Sequence, residues 1–142
     1  MKILLDTTYL LPMLGVKVPE VMPTLRLLKG RSDLKLYYSP FSLLEALGKI
    51  LKGRYELTRL ETGLVSITTR FVEATPSPIG YLMAAKLRQM GHKDLIDLLL
   101  YATAKDRGLR LLTRDYDLLG FLRKAGEKLD AVITEEDLFH EI

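Results

Sequence analysis

The stretch Asp94-Leu95-Ile96-Asp97-Leu98-Leu99-Leu100-Tyr101-Ala102-Thr103-Ala104-Lys105-Asp106-Arg107-Gly108-Leu109-Arg110-Leu111-Leu112-Thr113-Arg114-Asp115 decides the fold. Asp94 to Asp106 predicts a strongly apolar helix, closed by the cation and glycine of Arg107-Gly108. Leu109 to Thr113 then predicts a strand, Asp115 to Lys124 a helix, and Leu129 to Ile133 a last strand. Strands joined through helices of crossover length form parallel sheets covered on both faces.

The same alternation extends toward the N-terminus. Residues 2 to 5 are apolar after Lys2, with no polar alternation, and predict a buried strand that stops at Asp6. Residues 7 to 28 predict helix in part, broken by Pro12, Pro19 and Pro23, and Lys29-Gly30-Arg31-Ser32-Asp33 predicts a turn. Leu34 to Tyr38 predicts the second strand, and Ser39-Pro40 supplies a cap and a first-turn proline for a helix to about residue 52. Further helices are expected over 55 to 69 and 79 to 90, with a strand at Phe71 to Ala74 between them. The expected architecture is an α/β/α sandwich with a central, mostly parallel sheet, formed by residues 1–142 as a single domain.

Composition removes several function classes. The chain has 142 residues, no Cys and two His, which excludes disulfides, thiolate nucleophiles and zinc ribbons and leaves carboxylates as the metal ligands. The apolar runs are far shorter than the roughly 18 residues that span a bilayer, and Asp6 interrupts any signal-peptide core, so a soluble cytoplasmic protein is expected. The absence of Asn, a single Gln and abundant Lys, Arg and Glu resemble chains adapted to high temperature. Residues 1 to 93 carry 14 Lys or Arg against 7 Asp or Glu, whereas 94 to 142 carry 7 against 11. Folding brings these halves together, and an acidic pocket with a basic rim suits a polyanion held by a metal; scattered surface charge produces the same count.

Ligands of such sheets sit at the carboxyl ends of the strands. Asp6 and Asp115 lie just beyond two predicted strands, Asp97 opens an apolar helix, and Glu45 sits early in the helix after strand two, with Gly48 leaving room beside it. Four acids at one edge repel unless a divalent cation binds, and oxygen-only ligands select Mg²⁺ or Mn²⁺. Each acid also has a local explanation. Asp6 and Asp115 are suitable N-caps, Asp94 with Asp97 resembles a capping box, and Glu45 stands four residues before Lys49 in the orientation of a helix ion pair. Asp117 reads as a solvated acid near the same edge. Thr7, Thr8 and Thr113 can hydrogen-bond a carboxylate or a metal-bound water, or cap locally. Tyr37, Tyr38 and Phe41 read as core, and His92 and His140 receive no role.

Leu4-Leu5-Asp6-Thr7-Thr8, Glu45 in Ser-Leu-Leu-Glu-Ala, Asp97 opening Asp-Leu-Leu-Leu-Tyr-Ala-Thr-Ala, and Leu111-Leu112-Thr113-Arg114-Asp115 together resemble a PIN domain of the small, single-domain VapC type. The resemblance runs over essentially the whole chain. It implies a metal-dependent ribonuclease, the toxin of a toxin-antitoxin pair, in which Asp6, Glu45, Asp97 and Asp115 ligate one or two Mg²⁺ or Mn²⁺ ions. It also implies homodimers, an antitoxin partner, a single-stranded or loop RNA substrate, products with a 5′ phosphate, and a supporting Thr113. One departure is local. The family usually has a charged residue, an acid and an aromatic after the last aspartate, where Tyr116-Asp117-Leu118 stands here.

On this reading Arg26, Lys29, Arg31, Lys35, Lys49, Lys52 and Arg54 form the rim that grips the RNA backbone, with a solvated face as the alternative. The rival function is a catalytically inactive PIN-like module for RNA binding or assembly. A phosphoacceptor receiver domain requires an acidic pair after strand one and a late lysine, where Thr7-Thr8 and Arg114 stand. Dinucleotide binding lacks its Gly-x-Gly-x-x-Gly turn.

Overall fold

Ile3, Leu4 and Leu5 are wholly buried, because β1 (Lys2–Leu5) is the middle strand of the sheet in the computed structural model, which describes residues 1–142. β2 (Lys35–Tyr38), β3 (Val72–Glu73), β4 (Arg110–Leu112) and β5 (Val132–Ile133) complete a sheet of order β3-β2-β1-β4-β5, and every pairing is parallel. Leu4 stands opposite Tyr37 on one side and Leu111 on the other. The chain crosses from one side of β1 to the other between β3 and β4, so the crevice beyond β1 and β4 is the switch point where such sheets take ligands.

The helices are α1 (Thr7–Leu10), α2 (Met22–Lys29), α3 (Pro40–Ile50), α4 (Leu57–Arg70), α5 (Pro78–Gln89), α6 (Leu95–Arg107), α7 (Tyr116–Lys124) and α8 (Glu135–Glu141). Because side chains alternate along a strand, two cores form. Leu4, Tyr37, Leu111 and Val132 pack with α5, α6 and α7 residues such as Ala84, Leu98, Tyr101 and Leu122. Ile3, Leu5, Tyr38, Leu112 and Ile133 pack with Tyr9, Leu28, Ala46, Ile67 and Leu138 of α1, α2, α3, α4 and α8. The three-layer α/β/α sandwich read from the sequence is the fold. No helix is long and apolar enough to cross a membrane.

Element boundaries moved in a few places. Residues 7 to 28 hold α1, 3-10 turns at Leu11–Leu14 and Pro19–Val21, and α2. The expected strands at Phe71–Ala74 and Leu129–Ile133 shrink to β3 and β5, which are the two edges of the sheet and pair on one side only. Gly63 lets α4 approach the first of these turns closely: a Cβ there would lie 2.1 Å from the Met13 carbonyl oxygen.

Candidate metal centre

Asp6 is the residue at which β1 becomes α1. Its Oδ1 accepts the Thr7 amide at 2.7 Å and its Oδ2 accepts the Thr113 hydroxyl at 2.7 Å. Asp115 caps α7, its Oδ1 accepting the Leu118 amide at 3.0 Å, while its own amide donates to the Thr113 hydroxyl oxygen at 3.0 Å. Asp94 caps α6 by accepting the Asp97 amide at 3.2 Å. The caps expected of Asp6, Asp94 and Asp115 are therefore made, while the expected Glu45–Lys49 ion pair does not form, and capping does not exhaust these residues. Asp6, Glu45, Asp94, Asp97 and Asp115 line one pocket of about 250 Å³ at the carboxyl edge of the sheet, together with Thr8, Lys49 and Arg114.

Titration follows from this crowding. Burial raises Asp97, and the adjoining Asp115 carboxyl with the charges of Asp94, Asp115 and Asp6 push it up to about 9. Burial acts on Asp115 in the same sense, but the hydrogen bond from Asp97 and those from the Leu118 and Asp117 amides outweigh it and leave Asp115 below the ordinary carboxylate value. The two acids thus hold one proton at neutral pH, as close carboxyl pairs do. Asp6 is raised by burial; repulsion from Glu45 and Asp115 adds to this, while the Thr113 and Thr7 hydrogen bonds oppose it.

His92, given no role from the sequence, belongs to this neighbourhood. Its Nε2 lies 3.3 Å from Asp97 Oδ2 and its ring leans on Phe121 with centroids 4.9 Å apart. Both side chains are nearly buried. His92 also lines an adjoining hollow of about 430 Å³ with Lys93, Asp94, Asp97, Asp115 and Asp117. The available sequence signal is its turn, Gly91-His92-Lys93, which must return the chain to the edge where α6 starts. Two cations, Lys49 and Arg114, line the pocket beside the acids.

The threonines divide. Thr113 bridges Asp6 and Asp115, Thr8 lines the pocket, and Thr7 supports Asp6 through its amide while its buried hydroxyl finds no partner. Asp117 is exposed and borders only the hollow.

The basic rim is half corrected. Lys35 pairs with Lys2 at the first residue of β1, and Arg31 is held by Asp33, whose carbonyl lies 3.5 Å from the chain's amino terminus. Lys29, Arg31 and Lys35 therefore stand at the amino edge of the sheet, opposite the acids. They border the largest concavity, about 600 Å³ and mostly apolar, which holds no acid. Arg26 leans on its own helix at the Met22 carbonyl, and Lys52 is exposed beyond α3. Lys49 lines the acidic pocket and also a second groove of about 530 Å³ that it shares with Arg54 and Arg59.

The PIN domain family model matches residues 3–127. No curated protein matches the sequence. Among solved structures, the chain is similar to VapBC2 from Rickettsia felis, crystallised with a promoter DNA fragment, at TM-score 0.65 and 18% identity over 95% of this chain and 98% of that one. It is similar to a toxin-antitoxin complex from Klebsiella pneumoniae at TM-score 0.63 and 20% identity, covering 92% and 95% of the two chains. VapC20 of Mycobacterium tuberculosis, a toxin that cleaves the sarcin-ricin loop, superposes at TM-score 0.63 with 14% identity over 84% and 95%. Such identities establish shared fold. With the family match spanning most of its length, the chain belongs to the PIN domain family, a family of nucleases.

Proposed function

We propose that the chain is a Mg²⁺- or Mn²⁺-dependent endoribonuclease that hydrolyses RNA phosphodiester bonds and acts as the toxin of a toxin-antitoxin pair. The observation that carries the reading is the arrival of Asp6, Glu45, Asp97 and Asp115, from four separate segments, at one pocket beside the switch point of the sheet. Their donor chemistry fits a hard divalent ion. The proton that Asp97 keeps up to about 9 marks a cluster too negative to ionise fully by itself. As the side chains stand, no three of these groups close on one point, so holding an ion takes rotation of the four carboxylates.

A bound ion would polarise a phosphoryl oxygen and lower the pKa of the attacking water. The chain's own residues do the rest. Thr113 and the Thr7 amide hold Asp6 in place, the Leu118 amide holds Asp115, and Asp97 would have to release the proton it shares with Asp115 to hold an ion. Thr8 lines the same wall. Lys49, Arg54 and Arg59 line a groove along which a single strand of RNA can leave the pocket.

RNA as substrate is supported by the loop-cleaving toxin, and an antitoxin partner by the VapBC complex, both of the same fold. A homodimer is supported by the exposed apolar side of α5, where Ile79 and Leu82 lie one turn apart and Met90 follows at the helix end. Residues 1–142 act as one cytoplasmic domain in this reading. A second reading, an inactive RNA-binding or assembly module, is favoured by the separation of the carboxylates and by the helix caps that Asp6, Asp94 and Asp115 make.

Melting of chelator-stripped protein with and without millimolar Mn²⁺ separates the two. The nuclease reading expects a Mn²⁺-dependent rise that Asp6→Asn and Asp97→Asn both lose, with RNA cleavage lost in parallel. A wild type indifferent to Mn²⁺ and inert on RNA leaves the inactive module.

A further inference from the structure

The two cations of the acidic pocket are held differently. Lys49 is exposed on α3, at the end of a flexible stem. Arg114, in the loop from β4 to α7, has its Nε 3.2 Å from Glu135 Oε1, at the start of α8. Glu135 is itself anchored: its other carboxylate oxygen accepts the hydroxyl of Thr24 on α2, which is wholly buried, and its charge lies beside the buried Tyr9 phenol. Segments far apart in sequence thus meet under one guanidinium. Its Nε is the atom paired with Glu135, it lines the acidic pocket, and the side chain keeps 40% of its exposure.

A surface ion pair alone would not require such a support. A phosphodiester entering this pocket meets Asp6, Glu45, Asp94, Asp97 and Asp115, and the net negative charge of that wall repels it. A fixed cation on the wall offsets that repulsion. Guanidinium suits the task, because its planar fork pairs two parallel N–H groups with two phosphate oxygens, and the Glu135 carboxylate beside Nε keeps the charge at the wall of the pocket before the ligand arrives.

We propose that Arg114, positioned by Glu135, grips a backbone phosphate of the nucleic acid bound at the acidic pocket. The inference rests on the nuclease reading above and adds a substrate-binding residue and its positioning partner.

The test uses the full chain in two assays. Cleavage of a fluorogenic single-stranded oligoribonucleotide is followed in Mn²⁺, and binding of a labelled oligouridylate is followed by anisotropy in chelator over a range of NaCl. Arg114→Ala is expected to raise KM about tenfold or more, the loss of a charge-assisted hydrogen bond to phosphate. It also lowers the slope of log K against log salt by about 0.7, the share of one phosphate contact on a single strand. Arg114→Lys keeps the slope and restores KM in part. Glu135→Gln leaves the slope unchanged and raises KM, because the charge remains but loses the carboxylate that holds it at the pocket wall.

Arg114→Ala with wild-type KM and salt slope overturns the proposal and leaves the nuclease reading standing. If that variant does not fold, Arg114→Lys decides, and a wild-type KM in it is equally fatal. A wild type that neither binds nor cleaves RNA overturns both.

Discussion

The Thr113 hydroxyl donates to Asp6 Oδ2 at 2.7 Å across a sequence separation of 107 residues. Both residues are buried, and each follows one of two adjacent central strands, so the hydrogen bond ties β1 to β4 where the sheet opens for a ligand. Asp6 loses part of its stabilisation as a carboxylate without it. Thr113→Val is therefore expected to destabilise the fold by about 1–3 kcal/mol, the cost of leaving a buried acceptor unpaired. Mn²⁺ affinity falls by about 10- to 100-fold with it. Thr113→Ser retains both; denaturant melts and calorimetric titration measure the pair.

Asp97→Asn is expected to abolish cleavage while keeping or raising the melting temperature of metal-free protein. The sign follows from linkage. Asp97 binds its proton up to about 9 in the folded chain, against an ordinary value of 3.8. Across that window the folded state holds a proton that the unfolded state has released, so this group's contribution is complete below the lower value and is lost as pH rises through the upper one. Melts at several pH values should show wild type losing stability toward alkaline pH more steeply than Asp97→Asn. Parallel curves would mean that Asp97 is ionised throughout.

Metal binding has to displace the same proton. Titrating Mn²⁺ into wild type at neutral pH in buffers of different ionisation enthalpy should reveal proton release. Apparent affinity is expected to rise about tenfold per pH unit while Asp97 remains protonated in the free protein. A pH-independent affinity with no released proton would place the ion away from Asp97.

Gly63→Ala tests the packing of α4 independently of the acids. The new methyl group would meet the Met13 carbonyl oxygen at 2.1 Å and its carbon at 2.9 Å. Both are backbone atoms, so α4 must shift, and a loss of about 1–3 kcal/mol is expected. Chemical denaturation measures it. An unchanged midpoint would show that α4 moves freely against the turn at Leu11–Leu14.

Much of this protein follows from local sequence. Ile3-Leu4-Leu5 and Leu111-Leu112 have no polar alternation and must be covered on both faces, which requires a parallel sheet between helical layers. An acid directly after each strand then comes to one edge whatever the packing, because parallel strands share their ends. That is why Asp6 and Asp115 were legible, and Asp97 with them through its helix start.

The tertiary structure decided the neighbours. Side-chain direction depends on how helices seat on the sheet and how turns return, and no periodicity encodes it. His92 meets Asp97 because a turn folds back over the start of α6, and Arg114 meets Glu135 because α8 begins directly after β5, the strand paired with β4. The basic residues show the converse. Lys29, Arg31 and Lys35 are dense in sequence near the second strand, but the first two precede it and Lys35 opens it, and a strand's direction sends its two ends to opposite edges of the sheet.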